Sequence, residues 1–146
     1  MDKPNTRYFA YGSNMDTVQM RRRCPDAAPV AKAELFGYRF IINSRGVATV
    51  VQDESSEVHG VLWRTTEEDE ASLDRYEGVS AGLYSKQYLR VKSEDGDSVK
   101  ALVYVAADKS EGDSRNGYMQ GIVEAAERMG LPATYVAELK TWLRDE

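Results

Sequence analysis

Two short stretches contain the residue types that could do chemistry. In the first, an apolar and aromatic segment, Arg7 to Tyr11, runs straight into Gly12-Ser13-Asn14 and then into helix-forming sequence. A strand that turns into a helix leaves backbone N–H groups without helical partners, and such groups make a seat for a carboxylate or a developing oxyanion. Gly12 would let the backbone approach a ligand closely. The same four residues, Tyr11, Gly12, Ser13 and Asn14, also read as an ordinary cap and turn. The second stretch is Leu73-Asp74-Arg75-Tyr76-Glu77-Gly78. If a helix over 66–77 stops at Gly78, then Leu73, Tyr76 and Glu77 share a face at i, i+3, i+4. A carboxylate beside apolar groups, in the last turn of a helix, is pushed toward its protonated form. Such a group can both take and give a proton near neutral pH. Against that, Glu67, Glu68, Asp69, Glu70 and Asp74 make this an acid-rich segment in which Glu77 could equally be a solvated surface residue.

Other chemistries are harder to build. One cysteine, Cys24, excludes an internal disulfide, and one histidine, His59, excludes histidine-rich metal clusters and makes Ser-His-Asp or Cys-His systems hard to assemble. Cys24 has no basic partner beyond the adjacent arginine run and is given no role, while His59 reads as a strand side chain. Arg21, Arg22 and Arg23 read as a solvated helix end. One of them, or Arg7 or Arg45, could help to hold a substrate carboxylate. Trp63 and Trp142 read as core and docking residues.

The elements that must position these residues follow from pattern. Strands are expected at 7–11, 34–43, 47–52, 57–64, 84–93 and 98–106, from their β-branched and aromatic content. The last two are joined through Asp95-Gly96, a hairpin signal. Helices are expected from Ser13, read as a cap with Asp16 three residues on, to Cys24 before Pro25, then over 66–78, 116–130, and from Pro132 to Leu143. The polar loop 107–116 is the best candidate for a mobile segment. Strict strand-helix alternation is missing, so the expected class is α+β, with a small curled sheet or barrel of about six strands flanked by helices.

At 146 residues the chain is expected to form one domain, 1–146, without a linker. A net charge of −5 without a basic stripe argues against nucleic acid. No segment approaches a membrane span, and "MDKPNTRYF" lacks the apolar core of a signal peptide, so a cytoplasmic location and no membrane partner are expected.

Taken together, "YFAYGSNM", "GVATVVQ", "EVHGVLWR", "LDRYEGV" followed by "GLYSKQYLRV", and "MGLPATYVAELK" resemble the gamma-glutamylcyclotransferase-like (AIG2-like) family, in order and over nearly the whole chain. The resemblance implies a small β-barrel flanked by helices. It also implies a catalytic acid/base at Glu77, a substrate loop at Tyr11, Gly12, Ser13 and Asn14, and a further pocket residue at Tyr84. The implied reaction converts a γ-glutamyl amino acid or γ-glutamyl amine to 5-oxoproline and the free amino acid or amine. No metal or organic cofactor is implied. The implied partner is a small γ-glutamyl molecule, and the protein would be a monomer or homodimer. The departing group stays open between an amino acid, a simple amine and the ε-amine of a lysine isopeptide. The "YGSN" turn looks less like the glutathione-degrading branch. A non-catalytic binding protein for γ-glutamyl or related anionic ligands is the alternative, though such a pocket gains nothing from an extra carboxylate.

Overall fold

In the computed structural model, which describes residues 6–143, five strands close into a barrel in the order β1-β3-β2-β4-β5. The strands are β1 (Thr6–Ala10), β2 (Ala28–Ile42), β3 (Ala48–Thr65), β4 (Tyr84–Ser93) and β5 (Ser98–Ala106). Neighbouring pairs are antiparallel except β1 with β5, which close the barrel in parallel at Tyr8 and Leu102. The helices are α1 (Thr17–Arg23), α2 (Glu67–Tyr76), α3 (Tyr118–Arg128) and α4 (Ala133–Lys140), with a short 3-10 turn at Ser13–Met15. Among the described residues no helix is long and apolar enough to cross a membrane. Met1 to Asn5, the start of the segment read against a signal peptide, lie outside the described residues.

The six expected strands become five because 47–52 and 57–64 belong to one long strand. Its register against β2 jumps from Tyr38↔Gln52 to Phe36↔Glu57, so Asp53 to Ser56 bulge out without interrupting β3. The bulge is organised by Asp53, whose carboxylate accepts from Ser55 N at 3.1 Å and from the hydroxyls of Ser55 and Ser56. Residues that look like a turn thus mark a bulge. β2 starts earlier than expected, at Ala28, and accommodates exposed Pro29 at a second irregularity.

The first helix also differs. Asp16, not Ser13, is the N-cap of α1, its carboxylate accepting from Val18 N at 2.8 Å and Gln19 N at 3.4 Å. A side chain that satisfies the helix's own leading N–H groups fixes its start. Gly12 to Asn14 therefore form a separate turn rather than the end of a helix dipole. In α2 the expected Thr66 cap forms a full capping box with Asp69, and Gly78, at φ +67°, ends it immediately after Glu77. α3 and α4 are each shorter than their expected spans, and Pro132 caps α4 rather than opening it.

The core fills the barrel and the space under the helices, with Phe9, Met20, Leu35, Leu62, Trp63, Leu73, Leu102 and Ile122 all buried. Each fully buried Leu, Ile, Phe or Met contributes about 1.5–3 kcal/mol. Trp63 is a core residue, and half-buried Trp142 packs edge-on against Phe40 with ring centroids 6.4 Å apart.

Candidate active site

Beyond the end of β1, the chain turns at Gly12 and meets several other parts of the fold around a cavity of about 250 Å³. The C-terminal end of α2 brings Tyr76 and Glu77, and the start of β4 brings Leu83 and Tyr84. The β2–β3 turn brings Arg45, Val47 and Ala48, while Tyr104, Arg115 and Tyr118 come from the last third of the chain. Tyr11, Gly12, Ser13, Asn14, Glu77 and Tyr84, separated by up to 73 residues in sequence, all line this one cavity.

Glu77 is half-buried as the C-cap of α2, its N–H bonded to Leu73 O at 2.8 Å. Burial pushes its carboxyl up to about 7, and the Arg23 guanidinium opposes the shift. At neutral pH such a group is present in both protonation states, as a proton carrier must be. Of the two residues expected to share a helix face with Glu77, Leu73 is buried in the core while Tyr76 is 53% exposed.

The tyrosines around Glu77 are kept neutral by burial. Tyr8, Tyr11, Tyr84 and Tyr104 are all raised well above the ordinary phenol range, and Tyr118 is pushed up to about 12. Each hydroxyl has a protein partner. Tyr11 donates to Tyr104 O at 2.5 Å and Tyr84 to Ala48 O at 2.6 Å, while Tyr118 accepts from Ala48 N at 3.1 Å. Tyr84 therefore braces the β2–β3 turn as well as lining the cavity. Asn14 is buried with its side chain committed: its Nδ2 donates to Tyr8 Oη at 3.0 Å, and its Oδ1 accepts from Arg23. What the Gly12-Ser13-Asn14 turn offers the cavity is thus its backbone, together with the Ser13 side chain. No described residue accepts from the N–H groups of Gly12, Ser13 or Asn14.

Arg23 is the residue that pattern reading placed wrongly. It is half-buried, not a solvated helix end, and its guanidinium carbon lies 3.2 Å from the centroid of the Tyr76 ring. Tyr8, Tyr104, Arg115 and Tyr118 were not singled out at all. Tyr8 and Tyr104 stand in ordinary strand patterns, and no local spacing distinguishes a cavity-lining tyrosine from a core one. His59 lies elsewhere, beside a separate cavity of about 230 Å³, with Tyr135 at 4.7 Å between ring centroids. Cys24 is buried, and burial pushes its thiol up to about 12, so it is a poor nucleophile. Among the described residues no cluster of His, Cys, Asp and Glu could hold a metal ion.

The closed barrel, here with a half-buried carboxyl raised to about 7 in its cavity, is shared with a family of known proteins. The AIG2-like family matches residues 57–139, and the chain belongs to that family. Gamma-glutamylcyclotransferase of Homo sapiens is 31% identical over 95% of this chain and 79% of its own length. The Mus musculus protein of the same name is 30% identical over 91% of this chain and 76% of its own. A solved structure named gamma-glutamyl cyclotransferase superposes with a TM-score of 0.90 at 29% identity, covering 97% of this chain and 90% of that one. Within its family, this chain is a gamma-glutamylcyclotransferase-like enzyme.

Proposed function

We propose that the protein converts γ-glutamyl amino acids or γ-glutamyl amines to 5-oxoproline, with Glu77 as acid/base. The observation that carries this reading is a carboxyl raised to about 7 in the same cavity as the Tyr11–Asn14 turn and Tyr84. The substrate's α-amine attacks its own γ-carbonyl carbon. A C–N bond forms to close the five-membered lactam, and the original amide C–N bond breaks. Two protons leave the α-nitrogen and two arrive on the departing nitrogen, so the products balance without a co-reactant.

The substrate brings its own nucleophile, so the enzyme has two tasks. It must fold the γ-glutamyl chain into the ring-closing conformer, an orientation worth about 7–11 kcal/mol when ideal. It must also move two protons from the attacking to the departing nitrogen, which one carboxylate near its pKa can carry one after the other. Ionised Glu77 accepts from the ammonium, and neutral Glu77 then donates to the leaving nitrogen. N–H groups of the Gly12–Asn14 turn stabilise either the substrate α-carboxylate or the tetrahedral oxyanion, a single donor of the second kind being worth about 3–4 kcal/mol. Tyr84 and Tyr118, held as neutral phenols, exclude water and shape the wall.

The test is release of 5-oxoproline, followed by mass spectrometry, from a panel of γ-glutamyl amino acids, γ-glutamyl amines and γ-glutamyl-ε-lysine. Turnover by the wild type that drops by about 10²–10⁴ in Glu77→Gln supports the reading. Equal rates in the two proteins remove Glu77 from the mechanism. Binding without turnover by the wild type moves the protein to a binding role.

A further inference from the structure

Two arginines stand at the mouth of the cavity outside the proton transfer described above: Arg45, one of the residues that sequence offered as a holder of a substrate carboxylate, and Arg115. Arg45 sits in the β2–β3 turn and Arg115 at the end of the loop 107–116, and both are exposed on the cavity rim. They are built into place. Buried Asn43 organises the turn, its Oδ1 accepting from Arg45 N at 3.0 Å and Val47 N at 3.3 Å and its Nδ2 donating to Asp108 O at 3.0 Å. Arg115 then docks on the turn, N to Gly46 O at 3.2 Å and Nε to Arg45 O at 3.0 Å. Gly46, at φ +84°, has no room for a side chain, since a Cβ there would stand 2.8 Å from Arg115 Cγ. Two segments 70 residues apart are therefore locked so that both guanidiniums face one opening.

Neither guanidinium is held in a close ion pair among the described residues. Arg39, Lys86 and Arg128 each have a carboxylate within 4 Å, whereas among the described residues neither Arg45 nor Arg115 makes an ion pair. Asp108 interacts with Arg45: its carboxyl pKa is lowered by hydrogen bonds from Ser44 and Ser110 N and, more weakly, by the charge and backbone N–H of Arg45, without an ion pair to the guanidinium. Glu77 is the only acid among the described residues lining the cavity, and it is half-neutral at pH 7. In a chain of net charge −5, the described cavity lining thus sets two guanidiniums against one partly neutral carboxyl.

We infer that Arg45 and Arg115 are specificity residues that hold a carboxylate on the departing group, so that γ-glutamyl amino acids are preferred to γ-glutamyl amines. The inference rests on the cyclotransferase reading of the cavity. There the reacting carbonyl must lie beside Glu77, among the buried floor residues Tyr11, Asn14 and Tyr104, so the substituent on the departing nitrogen extends toward the open side. In an amino acid the carboxylate is two bonds from that nitrogen, within reach of the rim. A guanidinium pair recognises it through charge-assisted, bidentate hydrogen bonds. A simple amine leaves both cations unmatched.

The experiment compares γ-glutamyl-alanine with γ-glutamyl ethylamide, which lacks only the carboxylate. Release of 5-oxoproline is followed for the wild type, Arg45→Met, Arg45→Lys and Arg115→Met, with melting temperatures alongside. The expected wild-type preference for the amino acid is about 10–100-fold in kcat/KM. Arg45→Met and Arg115→Met shrink that preference, mainly through KM for γ-glutamyl-alanine, and Arg45→Lys restores part of it. Variants that are folded but lose both substrates in proportion overturn the inference, and assign the arginines instead to the glutamyl α-carboxylate or to the turn. A wild type that turns over both substrates equally also overturns it. A wild type that releases 5-oxoproline from neither overturns the cyclotransferase reading itself, and the inference with it.

Discussion

Glu77 is held in a place that suits a proton carrier and costs the fold stability. In the unfolded chain its carboxyl titrates near 4.5, and in the fold near 7. Stability linked to this group is complete below about pH 4.5 and is lost as pH rises through 7, because the unfolded chain ionises first. Glu77→Gln should therefore raise the melting temperature at pH 8 while abolishing turnover, as differential scanning calorimetry and the 5-oxoproline assay can show together. Arg23 works in the opposite direction, favouring the ionised form. Arg23→Gln should shift the midpoint of the rising limb of the kcat/KM profile to higher pH. It also frees the Asn14 amide, so some loss of binding should accompany the shift. The contrast between these two residues explains what sequence could reveal. The place of Glu77 at a helix end was legible because Leu73 to Gly78 is a contiguous stretch whose end could be located from Gly78, while its expected role came from the family resemblance and not from the pattern. Arg23 was not, because its partners, Asn14 and Tyr76, are 9 and 53 residues away and no local pattern joins them.

At the scale of elements, the site depends on how α2 is fastened to the barrel. Lys86 on β4 bonds both Glu70 and Asp74, and Tyr104 on β5 donates to Asp74 at 2.7 Å. This network holds the helix that ends in Glu77. Asp74→Ala removes one end of it and leaves a buried phenol unpaired, a loss of about 1–3 kcal/mol that urea denaturation would measure. Turnover should fall as well, since Glu77 then has a looser support. The loop 107–116, expected from its polarity to be the most mobile connection, is instead tied to the β2–β3 turn through the Asn43↔Glu111 bridge, Gly112 N to Ile42 O, and Arg115. Polarity signalled exposure correctly, but these backbone bonds span more than 65 residues of sequence and leave no local trace. The strand count went the same way. Asp53-Glu54-Ser55-Ser56 carries turn chemistry, yet it is spent on a bulge because β2 pairs on both sides of it.

For the whole molecule, barrel closure matters most. β1 pairs with both β3 and β5, and the turn that follows it lines the cavity, so the Gly12–Asn14 turn proposed to hold substrate is anchored where the barrel closes. The α+β class and the barrel were readable from strand content and family resemblance. The cavity was not, because its walls come from short, widely separated stretches of the chain between Tyr8 and Tyr118. A ligand that fills such a cavity should stabilise the molecule as a unit. With Glu77→Gln to prevent turnover, a γ-glutamyl amino acid at about 100 times its Kd should add about 2.7 kcal/mol to unfolding, and the melting temperature should rise with ligand concentration.

The central claim, that Glu77 is the acid/base, is tested most directly by the pH dependence of 5-oxoproline release. In the wild type, kcat/KM should rise with pH through a midpoint near 7, as ionisation of Glu77 supplies the base, and ¹³C-labelled Glu77 should titrate by NMR at that same midpoint. The limb should vanish, with most of the activity, in Glu77→Gln. A limb that persists in Glu77→Gln at comparable rates, or a Glu77 resonance that titrates at an ordinary carboxyl pH while activity turns on near 7, would contradict the account.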